Sequence, residues 1–224
     1  MNILAIDTSN SNLLVGLKTS TNVYCSQPIV STKHLETLLP AVEGLLDQAG
    51  LQPVNLDVVG VVVGPGSFTG IRIGVATTKA FMSCFKNLKS IAVNSLDLLA
   101  YNILSKSNSI QDTVCVIPST MRKFYVGVFH GKQRLQQDQM MEIDQLKTFV
   151  QGNKYKVVVP SGVNLDFCDC IEVKVDHQDL FDYIERAKVE NNFVDINGLK
   201  PYYLGLSQAE MDLLKKEEKD GTTV

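Results

Sequence analysis

The chain has 224 residues, 45% of them hydrophobic, which gives room for one large domain or two small ones with a substantial core. Its 21 Lys and Arg against 24 Asp and Glu leave a net charge of −3, so it lacks the electrostatic footprint of strong, direct nucleic-acid binding. No apolar run approaches the ~18 residues of a membrane span, and the start at Met1 lacks the basic region of a signal peptide. We expect a cytoplasmic protein, away from membranes, whose five cysteines stay reduced.

The first half predicts three strands, a helix, a fourth strand, a second helix and a fifth strand. The first helix is predicted over 34–49, where apolar residues recur at spacings of three and four. Ser31 and Thr32 are expected to cap its start and Gly50 its end, and Pro40 should kink the helix or restart it there. The second helix is predicted to end near Phe85. The strands are predicted over 2–7, 13–18, 22–27, 58–63 and 90–93.

A valine-rich strand followed by a glycine-rich turn is the most informative segment. Gly64-Pro65-Gly66 forces a tight turn, and Gly70 and Gly74 then share one face of the helix. One interpretation is a phosphate cradle at a helix N-terminus, and the other is a surface for close packing of a partner helix. The Walker pattern is missing because Ile71 follows Gly70, and the dinucleotide fingerprint is missing because Thr69 stands where a glycine is needed. Both known phosphate cradles are therefore missing, but this segment alone leaves the two interpretations open. The hypothesis of a partner surface predicts that the two glycines face outward, toward another subunit.

The second half predicts the same order of elements, offset by roughly 110 residues, which is too long for a solenoid repeat. A helix and linker are predicted over 95–109, strands over 113–117, 124–130, 134–141 and 155–159, and helices over 143–150 and 180–190. Two copies of β-β-β-α-β-α predict two similar lobes that face each other across a cleft. The predicted domains are 1–100 and 101–206, followed by a short helix and charged tail over 207–224.

Three motifs resemble a known family. Asp7-Thr8-Ser9 ends the first strand, His34 to Pro40 reads HLETLLP, and Gly64 to Gly74 reads GPGSFTGIRIG. A duplicated lobe that opens in this way resembles the actin, hexokinase and Hsp70 superfamily. The fold class implied is therefore α/β, with two actin-like (ASKHA, ribonuclease H-like) lobes whose helices pack on a mixed sheet. The three motifs together resemble the TsaB (YeaZ) family, strongly over residues 1 to about 100 and weakly beyond.

The resemblance implies a non-catalytic subunit, a pseudoenzyme, that binds and activates the catalytic paralogue TsaD together with the ATPase TsaE. The complex transfers threonylcarbamoyl to N6 of the adenosine next to the tRNA anticodon. The resemblance also implies a homodimer in isolation and only indirect contact with tRNA. TsaD carries a His-x-x-x-His metal pair where this chain has no histidine over 93–100, so we expect neither catalytic residues nor metal ligands. We expect no cofactor of its own, with ATP entering at the level of the complex.

The partner-binding surface is predicted on the two helices of the first half. Arg72 is expected to form an interface ion pair, because the helix dipole disfavours a cation in the first turn. His34 is expected to cap its helix or lie in the interface, since no metal-ligating residue follows four positions later. The predicted partner-binding residues are His34, Leu35, Leu38, Leu39, Val42, Leu45, Gly70, Arg72, Ile73, Gly74, Thr77 and Phe81, and Asp7, Thr8 and Ser9 are a predicted remnant of a nucleotide site.

Three other functions stay open on the sequence. An ATP-dependent small-molecule kinase of the same superfamily would need an acidic second phosphate loop, where this chain has Pro118-Ser119-Thr120. A peptidase that acts on its paralogue would need a Ser-His-Asp or Cys-His arrangement, and none can be recognised from spacing. A homodimeric scaffold without a link to tRNA is the third. Cys168-Asp169-Cys170 lacks the second ligand pair that a zinc site needs.

Overall fold

Two mixed sheets form the framework of the computed structural model, which describes residues 1–27, 29–30, 33–107, 112–119, 122–153 and 155–205. The first half comprises β1 (Ile3–Asp7), β2 (Asn12–Lys18), β3 (Val23–Cys25), β4 (Ile29–Val30), α1 (His34–Ala49), a 3-10 turn (Pro53–Asn55), β5 (Val58–Gly64), α2 (Phe68–Cys84), β6 (Lys89–Asn94) and α3 (Ser95–Ser107). The second half comprises β7 (Asp112–Pro118), β8 (Lys123–His130), β9 (Gln133–Arg134), β10 (Gln139–Glu142), α4 (Ile143–Gln151), β11 (Lys156–Pro160), β12 (Cys170–Val173) and α5 (His177–Val189).

The two sheets have the same topology. The first has the order β3-β2-β1-β5-β6, with β4 also on β2, and the second has the order β10-β8-β7-β11-β12, with β9 also on β8. In each sheet the two strands on one side are antiparallel to their neighbours, whereas β5 and β6, like β11 and β12, run parallel to the strand beside them. This repeat confirms the predicted fold class, two mixed α/β sheets of the ASKHA type.

The central strands and α1 follow the predicted pattern closely. All seven residues of β5 are buried, as expected for a valine-rich strand covered on both faces. Helix α1 has the predicted bounds and runs through Pro40. Gly50 ends it in the left-handed conformation, with φ of 64°. Its N-cap is Lys33, which makes no capping hydrogen bond through its side chain. Ser31 and Thr32 lie outside the described residues.

Helices cover both faces of both sheets. One face of the first sheet packs against α1 and α2, and the other against α5. One face of the second sheet packs against α4, and the other against α3. Helix α5 therefore crosses back from the second half onto the first sheet. Residues 194–204 follow it, with Val194 bridged to Ser90 and Leu199 completely buried.

Several predicted boundaries in the second half are wrong. The single strand expected over 134–141 is two strands, β9 and β10, because the chain leaves the sheet between them. Strand β12 was not predicted, and α5 begins three residues earlier than expected because Asp176 caps it by accepting the Asp179 N–H. The domain limits at 100 and 206 remain predictions. The predicted tail helix over 207–224 lies outside the described residues.

Candidate interaction surface

The turn after β1 and the start of α2 are closed by the chain's own hydrogen bonds. Asp7 Oδ1 accepts the Ser9 N–H at 2.8 Å. The Ser9 carbonyl accepts the Ser67 N–H at 2.6 Å, and Ser67 Oγ accepts the Gly70 N–H at 3.2 Å. These are donors that a phosphate cradle at a helix N-terminus would offer to an anion. The geometry therefore favours a structural turn over the phosphate cradle at this segment.

Asp7, Thr8 and Ser9 are all buried at this turn. Burial raises the pKa of the Asp7 carboxyl, an effect larger than the opposite influence of its hydrogen bonds with Ser9 and of His34. The three residues form the turn that follows β1. Their role as a remnant of a nucleotide site stays a prediction.

Gly70 and Gly74 face inward, so our prediction that they face a partner is wrong. Both are buried. A Cβ on Gly70 would overlap the Thr8 carbonyl oxygen, and one on Gly74 would lie 2.5 Å from Thr8 Oγ1. The spacing of four does give one smooth helix face, as predicted, but that face receives the first sheet's own β1 turn.

The predicted partner-binding residues of α1 lie partly in the core and partly on the surface. Leu38, Val42 and Leu45 are buried in the cluster that joins α1 to the first sheet. His34 is also buried, and its Nε2 donates to the Asn10 carbonyl at 2.7 Å. Leu35 and Leu39 point the other way, with exposed fractions of 74% and 54%.

The outward face of α2 includes two small residues one turn apart. Ala76 and Ala80 are exposed and lie four residues apart, and Thr77 is half-buried beside them. Ile73 and Phe81 are half-buried, because they also pack against the first core. Sequence reasoning missed the two alanines, although their spacing is the same as that of the glycines. We call Leu35 and Leu39 of α1 together with Ala76, Thr77 and Ala80 of α2, which the two helices turn away from the core, the "outward helix face".

Arg72 contacts two aromatic rings of its own chain. Its guanidinium lies 4.2 Å from the centroid of Phe68, and its Nε donates to the Tyr203 hydroxyl at 2.8 Å. The Phe68 and Tyr203 rings stack with centroids 4.2 Å apart. These contacts hold the exposed Arg72 cation within its own chain, and its ion pair with a partner stays a prediction. Tyr203 was not predicted, since 131 positions separate it from Arg72 in the sequence.

Two further observations concern metals and membranes. Cys168 Sγ and Cys170 Sγ lie 3.7 Å apart. Within the described ranges, no three His, Cys, Asp or Glu side chains converge in a way that could hold a metal ion. In the same part of the chain, no helix combines the length and apolar character needed to cross a membrane.

The duplicated mixed sheets, with an Asp-Thr-Ser turn at the end of β1, have a fold of the ASKHA type. Residues 23–162 match the family model "TsaD: tRNA N6-adenosine threonylcarbamoyltransferase". The chain is 27% identical to "tRNA threonylcarbamoyladenosine biosynthesis protein TsaB" of Bacillus subtilis, over 97% of this chain and 100% of that protein. It is also 27% identical to the protein of the same name from Escherichia coli, over 59% of this chain and 60% of that one.

A solved structure shows the same fold. "YeaZ from Pseudomonas aeruginosa" superposes with a TM-score of 0.75 at 20% identity, covering 91% of this chain and 99% of that one. The chain belongs to the TsaB/YeaZ family, which confirms the resemblance predicted from its three motifs.

Proposed function

We propose that this chain is a non-catalytic subunit that binds and activates a TsaD-type enzyme, with a TsaE-type ATPase joining the pair. The complex would transfer threonylcarbamoyl to N6 of the adenosine next to the anticodon of tRNAs. The match to the TsaD family model and the names of the bacterial relatives support this assignment. The net charge of −3 supports indirect contact with tRNA, through the partner.

The outward helix face is the observation that carries the proposal. Leu35 and Leu39 are one helical turn apart and largely exposed, although leucine is a residue that folding normally buries. Helix α1 packs against α2. The exposed Ala76 and Ala80 of α2 would let the backbone of another helix approach closely. Two such helices from each subunit form a four-helix bundle, which can bury about 800 Å² per partner.

Burial of the two leucines would supply much of the binding energy. Each contributes about 1.5–3 kcal/mol when it moves from water to an apolar environment. The same face is available to a second copy of this chain, which supports a homodimer in isolation. The homodimer and the complex with TsaD would then exclude each other, because they use one surface.

We assign ATP to the complex and none to this chain alone. The N–H groups of Ser67 and Gly70 already have acceptors within the chain, and Asp7 is buried in hydrogen bonds with its own turn. These contacts count against a kinase that holds phosphate at this turn. They support the assignment of Asp7, Thr8 and Ser9 to the structure of the lobe.

The test is a variant with Leu35→Asp and Leu39→Asp together. We expect it to fold, because both side chains are solvent-exposed, and to lose the complex with the TsaD-type partner in a pull-down. Formation of threonylcarbamoyladenosine in a reconstituted reaction should fall with it, as measured by mass spectrometry of the digested tRNA.

The matched control is Leu135→Asp, which changes a leucine of 49% exposure outside α1 and α2. This control should keep both the complex and the tRNA modification. If the double variant keeps the complex, or the control loses it equally, the outward helix face is not the binding surface.

A further inference from the structure

Two cysteines lie side by side at the start of β12, the strand at one edge of the second sheet. Cys168 and Cys170 flank Asp169, and Cys170 is the first residue of the strand. Their sulfurs are 3.7 Å apart, and Cys170 Sγ also lies 3.6 Å from the Cys168 carbonyl oxygen. The Cys170 side chain therefore folds back over Cys168, and the two thiols lie on the same side of the chain.

This contact distinguishes the pair from the other cysteines. Cys25 and Cys84 are exposed single thiols, and Cys115 is buried. In the part of the chain that the structure describes, none of these three sulfurs contacts another cysteine. Within the same ranges, no third metal-ligating side chain joins Cys168 and Cys170. The pair therefore has the composition of a dithiol and lacks the four ligands of a structural zinc site.

The geometry of the pair is compatible with a disulfide. The Cα atoms of residues two positions apart are at most about 7 Å apart, close to the upper limit for disulfides. The sulfurs have to approach from contact distance to about 2.05 Å, and a change of side-chain rotamer moves a cysteine sulfur by more than this gap. Cys168 precedes the ladder between β11 and β12, which begins at Cys170, so the loop can adjust without breaking the ladder.

The pair is accessible to a small reactant. Cys168 and Cys170 are half-buried, because they pack against the edge of the second core and keep part of their surface exposed. An open groove lined by residues 164–169 includes Cys168 in its wall. A low-molecular-weight disulfide can therefore reach the thiols without unfolding of the sheet.

The two thiols are not equivalent. Partial burial, the hydrogen bond with Cys170, and the negative charges of Cys170 and Asp169 all raise the pKa of Cys168. Because the thiolate is the nucleophile in thiol–disulfide exchange, Cys168 is the poorer first nucleophile of the two. Two of the influences on Cys168 come from Cys170 itself, and they end once the Cys170 sulfur belongs to a disulfide.

We propose that Cys168 and Cys170 form a redox-active dithiol that low-molecular-weight disulfides oxidise to an intrachain disulfide. The Cys170 thiolate attacks one sulfur of the external disulfide, whose S–S bond breaks and releases one thiolate. Cys168 then loses its proton, attacks the Cys170 sulfur and expels the second external thiolate. Two protein thiols are oxidised, one external disulfide is reduced, and the two protons end on the released thiols.

Proximity favours the second step over a reaction with another external molecule. A thiol held beside the mixed disulfide acts at an effective concentration on the order of millimolar or higher. A single exposed thiol such as Cys84 lacks this neighbour and stops at the mixed disulfide. In a reduced thiol pool the pair stays a dithiol, and it closes when the proportion of disulfide rises. The site goes beyond the proposed partner binding and shares no residue with the outward helix face.

The experiment incubates the full chain with excess oxidised glutathione at slightly alkaline pH. The remaining thiols are blocked with N-ethylmaleimide, and tryptic peptides are analysed by mass spectrometry. Peptide 157–174 contains Cys168 and Cys170 and no other cysteine, and peptide 80–86 contains Cys84 alone. We expect the first peptide to lose two hydrogens and the second to carry glutathione. Excess reduced glutathione should restore the thiols of both.

Cys168→Ser and Cys170→Ser are the decisive variants, because neither can form the intrachain bond. Cys168→Ser should stop at a mixed disulfide between Cys170 and glutathione, since no second thiol displaces it. Cys170→Ser should react more slowly at Cys168, which holds its proton more tightly than an ordinary thiol. The matched control is Cys84→Ser, which removes an exposed cysteine elsewhere and should leave closure of the pair unchanged.

The dithiol would be overturned if peptide 157–174 kept free thiols, or carried glutathione, after Cys84 had reacted fully. Equal rates of modification in Cys168→Ser and Cys170→Ser would overturn the order of attack. A thermal melt of each variant shows whether it is folded. Because the pair lies outside α1 and α2, a failure here leaves the pull-down result for Leu35 and Leu39 unaffected, and the two proposals can be judged separately.

Discussion

Gly70 and Gly44 both lie inside helices, but only Gly70 has neighbours that leave no space for a Cβ. A Cβ on Gly70 would meet the backbone carbonyl of Thr8, which cannot move as a flexible side chain can. A Cβ on Gly44 would have no neighbouring atom within 4 Å. Glycine is therefore required by packing at the first position, and at the second it only lowers the helix propensity of α1.

Gly70→Ala and Gly44→Ala should consequently have opposite effects on stability. We expect Gly44→Ala to raise the free energy of unfolding by about 0.5–1 kcal/mol, through helix propensity alone. Gly70→Ala should lower the free energy of unfolding by about 2–3 kcal/mol, because the cost of overpacking against Thr8 exceeds the gain in helix propensity. Urea denaturation measures both values. Equal effects of the two variants would contradict the inward orientation of Gly70.

Asp7 gives the fold a pH dependence of known sign. Burial raises its pKa in the folded state above the ordinary value near 3.8, so the folded protein binds this proton more tightly than the unfolded chain. The stability that follows is fully present below the unfolded pKa and is lost as the pH rises through the folded pKa. In the variant Asp7→Asn, the amide oxygen of asparagine can still accept the hydrogen bond from the Ser9 N–H.

Asp7→Asn should therefore become increasingly stable relative to the original protein as the pH rises above the unfolded pKa near 3.8. Urea denaturation at several pH values gives the unfolding free energy of both proteins. Groups other than Asp7 titrate alike in the two, so their contribution largely cancels in the difference. A difference that stays constant or shrinks over this range would show that the pKa of Asp7 is not raised.

At the scale of single elements, the sequence predicted α1 to the residue and α2 nearly so. It did not predict which way α2 is turned. A spacing of four identifies a smooth helix face. Whether that face packs on the turn after β1 or on a partner depends on contacts with Thr8, which is distant in the sequence. Ala76 and Ala80 have the same spacing on the opposite side of α2, and they are exposed because the glycine side faces the first sheet.

The start of α2 is further held by the ring stack of Phe68, Arg72 and Tyr203. We expect Tyr203→Ala to lower the free energy of unfolding by about 1 kcal/mol, as one partly exposed aromatic pair contributes. Tyr203→Phe keeps the stack and loses only the hydroxyl that accepts from Arg72, so its effect should be smaller. Chemical denaturation compares the two, and an equal loss in both would assign the effect to the hydroxyl.

At the scale of the whole molecule, the repeat of strands and helices was sufficient to predict two similar lobes. It could not predict that α5 would pack on the first sheet, where Leu180, Phe181 and Ile184 are completely buried. The amphipathic pattern of α5 fits the face of either sheet, and tertiary contacts make the choice. The second half therefore completes the core of the first.

The proposed subunit contact is tested most directly by hydrogen–deuterium exchange of this chain, alone and mixed with a TsaD-type enzyme. The account predicts new protection in His34–Ala49 and Phe68–Cys84, the helices that carry the outward face, and little change in His177–Val189. Protection confined to α5 or to the second sheet, with α1 and α2 unchanged, would contradict it.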